Sequence, residues 1–192
     1  WYTKSAEQGD ADAQNYLGYM YYNGNGVKQD YAEAVKWYTK SAEQGIAQAQ
    51  YALGGMYFLG KGVKQDYVEA VKWFEKAAKQ EDAYAQCYLG YMYYGGFEVN
   101  QDFVEAKKWF EDSAEQGIPM AQYFIGDMYE NGYGVSQNYK EAVKWYKKSA
   151  DLGYADAQFA LGEMYYTGRG VTKNIVEATK WYERSAKQEN ND

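Results

Sequence analysis

Six tryptophans stand at a single interval: Trp1, Trp37, Trp73, Trp109, Trp145 and Trp181 are each 36 residues apart. Around them one segment keeps returning. DYAEAVKWYTKSAEQG from Asp30 becomes DYVEAVKWFEKAAKQE from Asp66, DFVEAKKWFEDSAEQG from Asp102, NYKEAVKWYKKSADLG from Asn138 and NIVEATKWYERSAKQE from Asn174. A partial copy, WYTKSAEQG, opens the chain. Self-similarity at this period marks a repeat array, because one such unit cannot bury its apolar face alone and stacks on its neighbours. The chain therefore reads as one quasi-linear domain over 1–192. It holds a partial repeat over 1–9, full repeats at about 10–45, 46–81, 82–117, 118–153 and 154–189, and a tail over 190–192.

Each repeat predicts two helices. Helix A of the first runs from about Ala11 to Asn23, with Ala13, Leu17, Met20 and Tyr21 at i, i+4, i+7 and i+8 on one face. Gly18 recurs as Gly54, Gly90, Gly126 and Gly162. A mid-helix glycine costs about 1 kcal/mol against alanine, so a conserved register of five within the array implies close helix approach. Gly24-Asn25-Gly26-Val27 is the turn. Helix B starts at Asp30, with Glu33 three residues on as a capping box, repeated as Asp66/Glu69, Asp102/Glu105, Asn138/Glu141 and Asn174/Glu177. Tyr31, Ala34, Val35, Tyr38 and Ala42 are the expected buried stripe, with Glu33, Lys36, Lys40 and Glu43 facing water. Pro119 falls at the first position of the fourth helix A, where its missing N–H does no harm. The recurring Gln14, Gln50, Gln86, Gln122 and Gln158 are expected to bond neighbouring backbone. Glu81 and Glu189 replace the glycine that ends helix B elsewhere, and Phe97-Glu98 breaks the third turn's pattern.

Composition narrows the function classes. A net charge of −7 disfavours nucleic acid, which needs a basic footprint. No run of about 18 apolar residues exists to span a membrane. With no histidine, Ser-His-Asp and Cys-His arrangements and His-containing zinc sites are ruled out. Cys87 is the sole cysteine, so no disulfide forms within the chain and the compartment stays open. It has no neighbouring base and reads as inert. Gly24-x-Gly26 follows a helix and not a strand, so it is a turn before it is a phosphate loop. No pattern asks for a cofactor. The chain opens inside a helix-B copy without an initiator Met, and so reads as a piece of a longer protein whose targeting segment is unknown.

Ala47 to Gln50, Leu53-Gly54, Met56-Tyr57, Gly60 to Val63 and Gln65 to Trp73 carry a pattern that closely resembles the Sel1-like repeat family. The resemblance spans nearly the whole chain. It implies an all-α, right-handed α-solenoid of antiparallel helix pairs related to tetratricopeptide arrays, with the A helices lining the concave face. It also implies a non-enzymatic adaptor in protein–protein complexes, of a family with many bacterial members. The family's cysteine-rich branch pairs a disulfide in each repeat, and this chain lacks those cysteines.

On that face the A-helix sites differ most between repeats. Tyr16 and Tyr19, then Tyr51 and Phe58, then Tyr84, Tyr88, Tyr91 and Tyr94, then Tyr123, Asp127 and Glu130, then Phe159 and Glu163 are the candidate partner-binding residues. No Lys or Arg stands among the A-helix sites of that face, although the chain has 20. The expected groove is aromatic in repeats one to three and acidic in four and five, suited to a peptide carrying Lys or Arg among apolar anchors. Packing between repeats is the alternative for the Tyr22/Phe58/Tyr94/Tyr166 site, and a merely solvated face for the acids. A self-assembling structural array is a second reading, because the last helix B lacks the polar outer face of a capping repeat. A remote third is a carbohydrate-active enzyme or sugar binder. Asp127 and Glu163 sit on adjacent A helices about 8–10 Å apart, overlapping the separation of about 6.5–9.5 Å between inverting glycosidase carboxylates.

Overall fold

A computed structural model of the chain describes residues 2–189; Trp1, the expected tail over 190–192 and the side chains of Tyr2 and Glu189 lie outside the described residues. Among the described residues every regular element is an α-helix: α1 (Tyr2–Glu7), α2 (Ala11–Asn23), α3 (Tyr31–Glu43), α4 (Ala47–Leu59), α5 (Tyr67–Ala78), α6 (Ala83–Gly95), α7 (Phe103–Glu115), α8 (Pro119–Asn131), α9 (Tyr139–Asp151), α10 (Ala155–Thr167) and α11 (Ile175–Glu189). None of them is long and apolar enough to cross a membrane. The chain divides into two compact units. The first runs to Met92 and takes in Gly96–Asn100; the second takes in Tyr93–Gly95 and continues from Gln101.

Within each unit the helices pair as antiparallel hairpins, and the buried serines show how. Ser41 near the end of α3 donates to the Ala11 carbonyl at the start of α2 (2.7 Å). Ser149 does the same to Pro119 (2.7 Å) and Ser185 to Ala155 (3.0 Å). The mid-helix glycines are the contact points. A Cβ on Gly18 would lie 2.7 Å from the Tyr38 ring, on Gly54 2.8 Å from Phe74, on Gly126 2.6 Å from Tyr146 and on Gly162 2.6 Å from Tyr182. An aromatic ring of helix B thus packs directly against helix A at each of these glycines. That contact recovers more than the helix loses by carrying glycine.

Each unit has its own core. Ala34, Tyr38, Ala42, Ala49, Leu53 and Met56 form one cluster of the first, and Ala142, Tyr146, Ala150, Leu161, Met164 and Trp181 lie in that of the second. The recurring glutamines join successive helices as expected: Gln14 Nε2 donates to Ala6 O (3.0 Å), Gln50 to Ala42 O (3.0 Å), Gln122 to Ala114 O (3.4 Å) and Gln158 to Ala150 O (3.2 Å). Pro119 opens α8 as predicted. The turn glycines Gly24 and Gly26 both sit at φ 73°, and Glu81 and Glu98 hold the left-handed conformation at φ 64° and 54°.

Two expectations need correction. Only half of each capping box forms. Asp30 Oδ1 accepts from the Ala32 and Glu33 amides, but Glu33 turns outward to Lys36 (3.1 Å). The reason is that the Asp30 amide, its intended target, already donates to Tyr21 O (2.9 Å) across the turn. The same substitution of partners occurs at Asp66, Asn138 and Asn174. The helix-B stripe is also wider than predicted. Trp37 and Trp181 are buried, with Lys40 and Arg184 lying over their outer faces at 4.4 and 4.5 Å. Lys76 over Trp73 (3.8 Å) and Lys148 over Trp145 (4.0 Å) repeat the arrangement.

Candidate functional site

The candidate residues lie along one side of the A helices, and several of them reach the rings of the hairpin-partner helix. In the first unit that side belongs to α2, α4 and α6. Tyr16 and Tyr19 are exposed on α2, their rings 6.3 Å apart. Tyr51 of α4 packs against Tyr84 (5.8 Å), Tyr88 (5.9 Å) and Phe74 (6.1 Å). Phe58, three positions short of Lys61, meets Tyr88 (5.9 Å) and Tyr91 (6.2 Å), and Tyr91 stacks on Phe97 (5.3 Å). Tyr88 itself stacks on the buried Phe74 (5.3 Å).

Between these walls runs a cleft of about 640 Å³ along α4, from Gln48 to Leu59. It brings together five of the candidates, Tyr16, Tyr19, Tyr51, Phe58 and Tyr88, with Tyr22 and Tyr38. Tyr84 and Tyr91 stand outside its lining. Its floor is Ala52, Gly55 and Met56, and no charged residue lines it. Burial pushes the phenols of Tyr51 and Tyr88 up, so they stay neutral. After burial and Tyr88, the carboxylate of Asp82, the N-cap of α6, also raises Tyr51.

In the second unit the candidates are tied into the fold. Tyr94 packs on Phe103 (5.4 Å), Phe124 (5.3 Å) and Tyr133 (6.0 Å), and its hydroxyl donates to Asp127 (2.5 Å). Burial pushes Asp127 above the usual carboxylate range, although the Tyr94 and Asn131 hydrogen bonds pull the other way. Glu130 accepts from the Tyr146 hydroxyl (2.7 Å) and pairs with Arg169 (2.8 Å). Glu163 accepts from the Tyr182 hydroxyl (2.5 Å). Tyr123 is half-buried between Tyr146 and Tyr154, its phenol pushed up to about 12 by burial and then by Asp127, Asp156 and Glu130. Phe159 remains exposed, beside Tyr182 (5.5 Å), at a smaller cleft that Glu163 and Tyr166 also line. Asp127 and Glu163, the pair behind the glycosidase reading, are each engaged by a phenol.

One feature escaped the sequence reading. The residue between the turn glycines reaches back onto the preceding repeat. Lys61 donates to the Tyr22 hydroxyl (3.0 Å) and lies over the Tyr22 and Tyr31 rings (5.2 and 5.5 Å). Phe97 packs on Phe58 and Tyr67 (6.4 and 5.5 Å), Tyr133 stacks on Phe103 (4.8 Å), and Arg169 takes Glu130 and the Tyr139 ring (5.7 Å). The face free of Lys and Arg along its helices therefore receives a cation from a turn in each unit, and Glu130 is neutralised. Phe97, a departure in the third turn, is a packing residue. Aligning position 61 of each repeat with position 22 of the repeat before it would have exposed the pairing.

Known proteins decide the lineage. The profile described as the Sel1 repeat matches residues 1–10, 11–46, 47–82, 83–118, 119–154 and 155–190. The chain belongs to the Sel1 repeat family. Sel1 repeats are in general protein–protein interaction scaffolds, and the family is generally non-enzymatic. A protective antigen of uropathogenic Escherichia coli strains with an SLR fold is 44% identical, with a TM-score of 0.88 over 98% of this chain. The chain spans only 40% of that protein's length. A Sel1 repeat protein from Oxalobacter formigenes is 40% identical, with a TM-score of 0.87 over 94% of this chain and 74% of its own. An immunity protein of Pseudomonas aeruginosa is 24% identical at a TM-score of 0.62, over 97% of this chain and 71% of its own, a likeness of fold alone. No curated protein sequence matches the chain.

Proposed function

We propose that this Sel1 repeat protein is a non-catalytic scaffold that holds a segment of a partner protein against the helix-A face of its first unit. The observation that carries the reading is the ring-walled, uncharged cleft along α4 in a chain that is otherwise 24% charged. Aromatic side chains in contact with water at a concave site are what interface hot spots are made of, since they desolvate large area at little cost in side-chain entropy. Tyr16 and Tyr19 are about half exposed and supply that area. A partner carrying Lys or Arg among apolar anchors suits the site, each cation over a ring contributing about 0.5–2 kcal/mol.

Peptide display against the protein tests this directly. Peptides selected on wild type are expected to lose at least about ten-fold in affinity for a Tyr16→Ala/Tyr19→Ala variant that keeps its helical signal and melting transition. Selected peptides that bind both proteins alike would move the interaction off this face.

A further inference from the structure

Gly55 has no folding reason to be glycine. A Cβ there would meet nothing within 4 Å, whereas the adjoining Gly54 is packed against Phe74 at 2.8 Å. Gly55 does not adopt a left-handed backbone, and it lies inside α4, where glycine weakens the helix. The equivalent sites of the first and third repeats carry Tyr19 and Tyr91. A tyrosine at 55 would stand in the middle of the cleft, so the glycine keeps a notch open in its floor. The cleft follows α4 from Gln48 to Leu59, roughly 16 Å of helix at about 1.5 Å per residue. Its two ends differ in charge. At the start of the A helices are Asp12, in the first turn of α2, and Asp82, which caps α6 and acts on Tyr51. At the other end is Lys61, bonded to the lining residue Tyr22.

We infer that the cleft takes a partner segment with a charge at each end, laid along α4, with one bulky aromatic side chain dropped into the notch over Gly55. The segment carries a basic residue toward Asp12 and Asp82 and an acidic residue toward Lys61. This rests on the reading of the cleft as the scaffold's binding site and names the chemistry that fills it. At the notch itself an uncharged anchor is selected, since the lining holds no opposite charge to offset a charge buried over Gly55, and the partner's cations are left to the rings and the acidic end. Complementary ends select register and orientation.

The test uses capped, fluorescently labelled heptapeptides with a central tryptophan: one with Lys and Glu at opposite ends, one with Lys at both, one with Glu at both, and one with the tryptophan replaced by alanine. Anisotropy titration of wild type is expected to favour the Lys/Glu peptide and to show at least about a ten-fold loss for the alanine version. A Gly55→Leu variant, whose side chain enters open space, should keep its melting transition and lose binding by a similar factor. Lys61→Glu should transfer the preference to the peptide with Lys at both ends. Unchanged binding by Gly55→Leu, or a charge preference indifferent to Lys61→Glu, overturns the inference. If display-selected peptides depend on Tyr16 and Tyr19 while none of the heptapeptides binds, the inference falls and the scaffold reading stands. If neither class binds, both fall.

Discussion

At the scale of single residues, the glutamine ladder shows how one side chain in a repeat completes another. Gln44 Nε2 donates to Gln14 Oε1 (2.8 Å), Gln80 to Gln50 (2.8 Å) and Gln188 to Gln158 (3.0 Å). The fourth helix B has Leu152 at this site, and Gln122 Oε1 is left buried without a hydrogen-bond partner. The Gln122 bond to Ala114, at 3.4 Å, is also longer than the equivalent bonds of Gln14, Gln50 and Gln158. Leaving a buried acceptor unsatisfied is costly, whereas Leu152 is 57% exposed and gives little in return. Leu152→Gln is therefore expected to stabilise the protein by about 1 kcal/mol, read from the urea midpoint, and Gln80→Leu to destabilise it by a similar amount. An unmoved midpoint in both variants would show that water already serves these acceptors.

At the scale of the helix, two mid-helix glycines, Gly126 in α8 and Gly55 in α4, should respond in opposite ways. Gly126→Ala drives a methyl into the Tyr146 ring, and overpacking of about 1–3 kcal/mol outweighs the helix gain of about 1 kcal/mol. Gly55→Ala meets nothing and should stabilise by about 0.5–1 kcal/mol. Thermal melts of the two variants decide it; equal shifts would mean that the ring on Gly126 yields freely. Both glycines look alike in the sequence. The periodic Gly18 series announces close approach because it recurs in register, and the hairpins, turns and buried glutamines follow from the same 36-residue repetition. Gly55 does not recur, so its open surroundings were hidden until α2 and α6 stood on either side of it. Lys61 and Arg169 were hidden for a related reason. Periodicity assigns a residue to a turn but does not say which earlier repeat it touches, so the face looked free of cations. The capping glutamates were misread because the turn's own hydrogen bond to Tyr21 could not be seen locally.

At the scale of the whole molecule, tyrosine sets the alkaline limit. The chain holds 24 tyrosines, and burial raises the phenols of Tyr38, Tyr51, Tyr94 and Tyr146 well above the ordinary value of 10.0, with Tyr123 and Tyr182 pushed up to about 12. The folded state keeps protons that the unfolded chain releases near pH 10, so this stability is complete below that pH and is lost as pH climbs toward the folded values. Tyr38 and Tyr146, at most 4% exposed, dominate; each removes about 1.4 kcal/mol per pH unit across its window. The half-buried phenols add less, since solvent screens them. Urea unfolding should therefore show steady stability up to about pH 10 and a steep fall above it. Phenolate absorbance should lag and then rise together with the loss of helical signal. A Tyr38→Phe variant, which keeps the ring on Gly18 and discards the proton, should fall less steeply. If wild type and variant lose stability along the same slope, the buried phenols are not what limits the fold at high pH, and the exposed lysine–glutamate pairs of the B helices become the groups to vary.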